Sequence, residues 1–379
     1  MQDMRAALRR RGIDARLMAS TADPAGEATA ADHTFRGSTG AFRALRETVN
    51  PDAVRVVREV VRRFDPQIVH LGMILTQASP AILPILKGRA VVWAPSEYRV
   101  ICPSGSRFLP DRQPCSYPAG RACLRNRCFR AHGLVPRLLQ LALLRHWRPI
   151  VDLVVCPSRA FADELERHGV SVDAIVPNGI PIQPLVEQPA SVPAFLGFAG
   201  RLVPEKGTHI LLEALALLPR SLAHVRLRIA GDGPERASLL GLARNLGLGD
   251  RVEFLGHLSR EDVERWLATA TVHVVPSLWA EPFGLVAIEA MARGTPVMVS
   301  AAGALPELVE EGRTGYLVPP GDAGALARRL TEVMTDPDGL AAVRREARRV
   351  ACETFNIERA VDRFLALYAG LLNPSVATR

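Results

Sequence analysis

The chain has 379 residues, which suffices for two domains of ordinary size, each with its own core. Apolar residues make up 48% of it and aromatic residues 5%, a composition typical of globular α/β proteins that excludes fibrous and disordered chains. The net charge of +8 favours anionic partners, namely phosphorylated substrates or an anionic membrane face. No basic face interleaved with aromatic residues is apparent, so nucleic acid is not an expected partner.

Arginine carries almost all of the positive charge, because Lys87 and Lys206 are the only lysines. A lysine kept in such a composition suggests a point-charge role for Lys206. The N-terminus has no secretory signal and no apolar run is long enough to span a bilayer, so a cytoplasmic protein is expected.

The first half alternates predicted helices and strands. Helices are expected at 1–11, 51–64, 80–86, 134–150 and 159–167, and strands at 14–19, 68–71, 90–94, 152–156 and 174–176. Residues 21–39 and 95–133 are expected to be loops, and Ser158 to cap the helix that follows it. The leucine- and arginine-rich helix at 134–150 is either a packing face with solvated arginines or a basic patch on an anionic membrane.

Four of the six cysteines lie in the second of these loops, at Cys102, Cys115, Cys123 and Cys128. Their spacing matches no established zinc pattern. They are interpreted either as free thiols in a long loop or as a metal or redox clip. Cys156 lies in an apolar run and is expected in the core.

A proline-rich stretch at 177–193 is the predicted linker. The second half then repeats strand and helix more regularly, with strands expected at 195–199, 225–230, 252–255, 272–276, 296–300 and 316–318. Helices are expected at 208–218, 236–246, 260–270, 283–293, 305–310, 322–334 and 357–371. The alternation predicts a parallel sheet with helices on both faces, whose ligand lies at the carboxyl ends of the strands.

Charged and glycine-rich motifs follow these strands. GRLVPEKG brings Arg201 and Lys206 together, and two cations can hold a diphosphate and neutralise its charge as it leaves. GDGPE places Gly231 and Gly233 in a turn where backbone can approach a ligand closely. Each motif alone also fits a surface turn with solvated charges.

The central motif is AEPFGLVAIEA, residues 280–290. We expect the helix N-terminus at Phe283, Gly284 and Leu285 to present free amides to an anion, and Glu281 and Glu289 to point into the same cleft. Such a carboxylate pair beside an anion site suits a sugar joined to a phosphate. The other interpretation is that Glu281 caps the helix and Glu289 lies on a solvated face.

In this order the motifs resemble the retaining glycosyltransferases of family 4. The matching segments are VPNGI, GRLVPEKG, GDGPE, FLG, PSLWAEPFGLVAIEAMARGTPV and TGYLVPPGD, with looser matches at WAPSEYRVICP and CPSRAF. The resemblance implies the GT-B fold, in which two Rossmann-like, doubly wound α/β domains face one another across a cleft. The expected division is 1–185 for the acceptor-side domain, 186–355 for the nucleotide-sugar domain, and 356–379 for a helix that crosses back.

The resemblance also implies roles for individual residues. Arg201 and Lys206 hold the donor diphosphate, Glu281 faces the donor sugar, and Glu289 binds the ribose. The amides of Phe283, Gly284 and Leu285 face the sugar hydroxyls or phosphate, and the base is bordered by Gly231, Gly233, Leu255, Gly256, His257 and Leu258. No metal or other cofactor is expected, and transfer retains the sugar configuration.

Two departures from the family pattern keep alternatives open. The initial strand and glycine-rich turn of the family are not found near residue 1, and Ser96 stands where relatives carry a histidine. The expected function is transfer of a hexose from a nucleotide sugar to a glycan or lipid-linked acceptor, with peripheral contact to an anionic membrane. The alternatives are a nucleotide-sugar-binding protein with weak or lost transfer, and an NAD-dependent oxidoreductase, which is disfavoured because neither half opens with GxGxxG.

Overall fold

The structure, a computed structural model, describes residues 1–22, 31–40, 43–185 and 194–373. The chain forms two compact units. The first comprises Met1–Pro110, Cys115–Gly179 and Ile357–Arg379, and the second comprises Asp111–Pro114 and Ile180–Asn356. The main division thus follows Gly179, whereas the sequence placed it after residue 185.

The first unit contains a parallel sheet of four strands in the order β3-β4-β5-β6, and a separate parallel pair, β1-β2. Its strands are β1 Met18–Ser20, β2 His33–Phe35, β3 Ile68–Leu71, β4 Ala90–Trp93, β5 Leu153–Cys156 and β6 Ala174–Ile175. Its helices are α1 Gln2–Arg10, α2 Arg43–Thr48, α3 Pro51–Phe64, α4 Arg121–Arg125, α5 Ala131–Trp147, α6 Arg159–Arg167 and α14 Ile357–Leu372. Pro80–Leu86, predicted as an ordinary helix, forms 3₁₀ turns.

The region predicted as a loop at 21–39 contains strand β2, so that prediction was wrong there. Asp32 explains the order of this segment. Its carboxylate accepts hydrogen bonds from the Leu17 amide and from Arg5 and Arg9, each at 2.8 Å. These bonds hold the pKa of Asp32 below its ordinary value although burial opposes the shift. Part of the predicted loop, 23–30, lies outside the described residues.

Helix α14 packs within the first unit. Its apolar face, which includes Val361 and Phe364, joins Met4 and Ala7 of α1 in one core cluster with the sheet. The Arg11 side chain donates to Glu358 at 2.9 Å and also pairs with Asp362. The arginines of α1 are therefore engaged in ion pairs on the first unit's own surface.

The second unit is a six-stranded parallel sheet in the order β12-β11-β10-β7-β8-β9. Its strands are β7 Phe195–Ala199, β8 Arg226–Ala230, β9 Val252–Gly256, β10 Val272–Val275, β11 Val297–Ser300 and β12 Tyr316–Val318. Its helices are α7 Thr208–Ala216, α8 Arg236–Asn245, α9 Arg260–Leu267, α10 Leu285–Ala292, α11 Leu305–Leu308, α12 Ala323–Met334 and α13 Pro337–Thr354.

Helices cover both faces of this sheet, and a separate apolar cluster fills the core on each side. Strands β10 and β11 are buried at every position, as expected where both faces are covered. The sequence predicted this layout, but it did not predict α13. Within the described residues, no helix has both the length and the apolar character needed to cross a membrane.

Candidate functional site

The site is built where the strand order of the second unit reverses. Strands β7 and β10 lie side by side, and successive strands extend from them in opposite directions. The loops that leave the carboxyl ends of two such strands diverge and leave a crevice, which is where doubly wound sheets bind ligands. Here these loops are GRLVPEKG after β7 and PSLWAEPFG after β10.

Backbone contacts join the two loops directly. The Leu278 amide donates to the Glu205 carbonyl oxygen at 2.9 Å. Gly207, with φ of 67°, packs so closely on the Pro276 carbonyl that a Cβ there would overlap it. The two loops are therefore positioned as one structure.

Lys206 and Glu281, which the sequence assigned to this site, form an ion pair across it. The Lys206 Nζ lies 2.6 Å from Glu281 Oε1, and the same oxygen accepts a 2.6 Å hydrogen bond from Ser277 Oγ. Glu281 is buried, and the Lys206 ammonium lies 5.3 Å from the ring centre of Trp279. The pair thus presents a fixed, partly desolvated ammonium and carboxylate at the switch point of the sheet.

Arg201 is placed at the same strand end but is held loosely. Its side chain is 70% exposed, and its nearest recorded carboxylate is Glu205, at 4.0 Å. Arg201 is therefore an exposed cation at the strand end that also carries Lys206. A surface ion pair at this distance holds an arginine only weakly.

Helix α10 begins at Leu285, two residues later than predicted. Gly284 is its N-cap residue, with φ of 114°, and Leu285 is exposed. The Phe283 side chain is buried against Phe355, so only its backbone is available at the helix start. Glu289 lies one turn further along the helix and is half-buried.

The glycines of GDGPE are required by the protein's own backbone. A Cβ at Gly231, where φ is 133°, would overlap the Gly200 carbonyl, and one at Gly233 would overlap the Leu202 carbonyl. The Gly231 amide donates to the Gly256 carbonyl at 2.7 Å. These contacts bring the loops after β7, β8 and β9 together.

The residues assigned to the border of the base follow from β9. Gly256 ends the strand with φ of 71°, Leu255 and Leu258 are half-buried, and His257 is exposed. Their position at the carboxyl end of the strand places them on the same edge of the sheet as the loops described above.

Sequence reasoning did not single out two residues that support Glu281. Ser277 orients its carboxylate, and Gly303, with φ of 59°, pairs with the Glu281 backbone in a parallel bridge. The Ala304 amide also donates to the Glu281 carbonyl at 2.9 Å. The sequence feature that could have identified Ser277 is its position four residues before Glu281 in the same motif.

Comparisons with known proteins bear on the family and the fold of the chain. Residues 186–350 match the family described as "Glycosyl transferases group 1". This segment is a group 1 glycosyl transferase domain. The family predicted from the order of the motifs is thereby confirmed.

Curated proteins similar to this part of the chain carry the names of enzymes. The glycogen synthase of Mycobacterium tuberculosis is 37% identical over 203 residues, which cover 52% of this chain and 48% of that protein. The D-inositol 3-phosphate glycosyltransferase of Streptomyces avermitilis is 34% identical over 254 residues, which cover 58% of this chain and 52% of that protein. The chain spans about half the length of these relatives.

Solved structures match the fold over nearly all of the chain. Sucrose-phosphate synthase from Thermosynechococcus elongatus aligns with a TM-score of 0.75 at 24% identity, covering 98% of this chain and 92% of that one. Anabaena HepE in complex with UDP-glucose aligns with a TM-score of 0.70 at 21% identity, covering 97% and 94%. The predicted GT-B fold class is confirmed.

The first unit carries a charged cluster that sequence reasoning missed. Glu47 is 1% exposed, accepts from Arg43 Nε at 2.7 Å and pairs with Arg137. Glu97, which follows β4, lies within 3.5 Å of Arg99 and has a raised pKa, chiefly because it is buried. Ser96 is exposed beside it.

This cluster changes the interpretation of the α5 arginines. Arg137 is paired with buried Glu47, and Arg148 is half-buried near Val151. Arg145 and His146 remain exposed. The arginines that one of the two interpretations grouped in a basic patch are therefore divided between the interior and the surface.

The six cysteines are all free thiols. Among the residues that the structure describes, no group of three or more histidine, cysteine or carboxylate side chains is placed to hold a metal ion. Cys156 is buried in β5, at the position where the sequence predicted a core residue.

Proposed function

We propose that the protein is a retaining glycosyltransferase that moves a hexose from a nucleotide-diphosphate sugar to a glycan or lipid-linked acceptor, in cell-surface polysaccharide or glycolipid synthesis. The observation that carries this proposal is the Lys206–Glu281 ion pair at the switch point of a group 1 glycosyl transferase domain. A fixed ammonium and a fixed carboxylate match a donor that joins an anionic diphosphate to a neutral sugar.

In the proposed mechanism Lys206 and Arg201 bind the diphosphate and stabilise the charge that builds up on it as the sugar leaves. Lys206 is preorganised by Glu281, whereas exposed Arg201 closes on the donor when it binds. Glu281, oriented by Ser277, accepts hydrogen bonds from the sugar hydroxyls. The acceptor hydroxyl attacks the same face of the sugar that the phosphate leaves, so the configuration is retained.

The amides at the start of α10 and the loops after β8 and β9 complete the proposed donor site. Phe283, Gly284 and Leu285 present backbone N–H groups to the donor, and Glu289 takes the ribose. The two cations fulfil the role that a divalent metal has in other transferases, so turnover should persist in a metal chelator.

A uridine donor is the first to test. Relatives of the fold include HepE, which was solved in complex with UDP and with UDP-glucose. The proposed assay is calorimetric titration with UDP-, GDP- and ADP-glucose.

The decisive variant is Lys206→Ala, and the matched control is Lys87→Ala, the other lysine of the chain, which is exposed in the first unit. Loss of one charge-assisted contact should weaken donor binding by about 1.5–3 kcal/mol, or roughly 10- to 150-fold. Lys87→Ala should bind as the wild type does. Equal affinities for the wild type and Lys206→Ala would overturn the assignment.

Ser96 favours one alternative, a nucleotide-sugar-binding protein with weak or lost transfer. Release of UDP from a bound donor, measured with and without a panel of glycan and lipid-linked acceptors, separates the two functions. Binding without release under any condition would favour the alternative.

We also propose that α2 and α5 contact an anionic membrane face at the inner side of the cell. Leu45 on α2 and Val49, which directly follows this helix, are exposed, as are Val135 and Leu139 on α5. The Thr48 hydroxyl donates to the Pro136 carbonyl at 2.9 Å, so the C-terminus of α2 contacts the first part of α5.

Positive charge accompanies this apolar surface. Arg46 on α2 and Arg145 on α5 are exposed and can reach lipid phosphates. Apolar side chains flanked by arginine are typical of helices that lie in the interface of an anionic bilayer.

Co-sedimentation with phosphatidylglycerol vesicles at low salt tests this contact. The double variant Val135→Ser, Leu139→Ser should lose binding, whereas Leu217→Ser, which removes a leucine that is 60% exposed in the second unit, should keep it. Binding to neutral vesicles alone, or no binding by the wild type, would contradict the proposal.

A further inference from the structure

The four cysteines of the segment between β4 and α5 converge on one small pocket. Cys102, Cys115, Cys123 and Cys128 all line it, together with apolar side chains such as Phe108 and Phe129. These thiols come from positions spread over 27 residues, so their convergence is a property of the fold of this segment.

Two of the thiols occupy positions that a helix end brings into contact. Helix α4 ends at Arg125, and the amides of Arg127 and Cys128 donate to the carbonyls of Leu124 and Cys123, at 3.0 and 2.9 Å. This pair of bonds, with Arg127 in the left-handed region at φ of 57°, is a Schellman motif. The motif normally brings together the side chains at the positions of Cys123 and Cys128.

The residue at Arg127 makes this helix end costly. Glycine is the usual residue at this left-handed position, because a side chain there destabilises the backbone conformation. A covalent bond between Cys123 and Cys128 would restrict the backbone of the turn that contains Arg127 to this conformation. The bond would therefore offset the strain of a motif that lacks its glycine.

We propose that Cys123 and Cys128 are a paired dithiol that closes to a disulfide across the C-terminus of α4. Cys102 and Cys115 line the same pocket but remain thiols. In the reduced protein Cys102 Sγ lies 3.1 Å from Ser104 Oγ, and Cys115 Sγ lies 4.0 Å from the Tyr117 carbonyl.

The reaction with a small-molecule disulfide as oxidant proceeds in two exchanges. The Cys123 thiolate attacks one sulfur of oxidised glutathione and expels a glutathione thiolate, which leaves a mixed disulfide. The Cys128 thiolate then attacks the Cys123 sulfur and expels the second glutathione thiolate. Two protein thiols are oxidised, and one glutathione disulfide is reduced to two thiols.

The pKa of Cys128 is raised to about 11, mainly because the thiol is partly buried and to a lesser extent because other cysteines lie nearby. The thiolate is the reacting form, so the second exchange should accelerate as the pH rises towards that value. The experiment is therefore run at neutral and at mildly alkaline pH.

Tryptic mapping tests the pairing directly, because arginines separate all four cysteines into different peptides. The reduced full-length protein is treated with oxidised glutathione, blocked with an alkylating reagent and digested. We expect a linked species of ACLR and CFR, which carry Cys123 and Cys128, and four alkylated thiols out of the six. The yield should increase with pH.

Variants serve as controls for this pairing. Cys128→Ser should abolish the linked species, whereas Cys352→Ser, which removes a cysteine of the second unit, should leave its yield unchanged. Oxidation should raise the melting temperature of the wild type, and a reductant should reverse the increase. Cys128→Ser should show no such shift.

Three results would overturn the proposal. The first is a linked peptide that joins any other pair of cysteines. The second is full alkylation of Cys123 and Cys128 after oxidation at both pH values. The third is one zinc ion per chain in the freshly purified reduced protein, together with resistance to oxidation until a chelator is added, because the cysteines would then be metal ligands.

Discussion

Gly207 shows how a single residue without a side chain determines the site. Its φ of 67° is strained for any other residue, and a Cβ would overlap the Pro276 carbonyl. It also precedes α7 as the N-cap residue, directly after Lys206. The position of the Lys206 ammonium therefore depends on the close packing of two backbones.

We expect Gly207→Ala to lower the free energy of unfolding by more than about 1 kcal/mol, since the new methyl group forces the two loops apart. Donor affinity should fall with it. The measurement is the urea midpoint of the second unit's transition, with donor titration on the folded variant.

Gly370→Ala is the matched control. Gly370 lies in α14, and an added Cβ meets no atom within 4 Å. The same substitution there should stabilise the protein by about 0.5–1 kcal/mol, because alanine is the better helix former. Equal midpoint shifts in the two variants would contradict the role assigned to Gly207.

For single residues, the sequence identified candidates that lie in local motifs and missed those that are brought together only by the fold. Lys206 and Glu281 were identified because each lies in a motif of fixed order. The ion pair of Arg137 with Glu47 was not, because it joins positions 90 residues apart on helices whose packing no local pattern specifies. Nothing in the residues around Glu47 distinguished it from a solvated carboxylate.

Helix α3 depends on one buried residue at its start. Asn50 is fully buried, and its Oδ1 accepts from the amides of Asp52 and Ala53 at 3.1 and 3.2 Å. Its Nδ2 donates to the carbonyls of Arg36 and Gln77 at 3.0 and 2.8 Å. One side chain thus caps the helix and joins it to two loops.

Asn50→Ala should destabilise the protein by about 2–4 kcal/mol, since it removes a cap and leaves the Arg36 and Gln77 carbonyls without this donor. Asp336→Ala is the control, because Asp336 caps α13 through one bond of 2.9 Å to the Gly339 amide and is exposed. Its loss should cost about 1 kcal/mol. Comparable losses in thermal stability would contradict the dual role of Asn50.

Elements with a broad apolar stripe were predicted well and those with a narrow one were not. Helix α3 matched its predicted bounds, 51–64. Helix α13 buries mainly Val343, Ala347 and Ala351, one small residue per turn, which gives little periodic signal among its arginines. Strand β2 has three residues and is ordered by the adjacent Asp32, whose partners Arg5, Arg9 and Leu17 are distant in the sequence.

Each unit contains a histidine whose pKa is lowered by its surroundings. In the first, burial and the nearby α-amino group lower the pKa of His70 to about 4, and its Nδ1 lies 2.5 Å from the Tyr368 hydroxyl. In the second, burial lowers the pKa of His273 to about 3, and within the described residues neither ring nitrogen has a hydrogen-bond partner. Both values lie below the ordinary 6.5 of histidine.

The unfolded chain therefore binds protons at these positions before the folded protein does. Stability should be complete above about pH 6.5 and should decrease as the pH falls from there towards 4, in both units. Urea midpoints measured between about pH 7.5 and pH 4.5, a range that begins above the ordinary histidine pKa of 6.5 and stops short of the lowered values, test this expectation.

His273→Leu should reduce the pH dependence of the second unit, because it removes one of the groups that the unfolded state protonates first. Part of the slope should remain, because burial also lowers the pKa of His209, in the same unit, to about 4. His224→Leu, which changes an exposed histidine of the same unit, should leave the slope as it is. If His273→Leu retains the wild-type slope, groups other than His273, such as His209 or paired carboxylates, account for the loss of stability in acid.

At the scale of the molecule the sequence predicted more of the second unit than of the first. Six strand–helix repeats specify a doubly wound sheet, and the order reversal between β7 and β10 follows from the family resemblance. The first unit contains a long segment, 101–130, with one short helix and contacts that depend on its cysteines and arginines. No periodic pattern describes such a segment.

Because the chain has only two lysines, chemical modification of Lys206 can report on the proposed site. Amine-reactive acylating reagents should modify exposed Lys87 readily. Lys206, with its ammonium held by Glu281 and its side chain only 21% exposed, should react slowly. A bound nucleotide sugar should shield Lys206 further and leave Lys87 unaffected, so the ratio of the two acylated peptides would report occupancy of the site with an internal standard in every molecule.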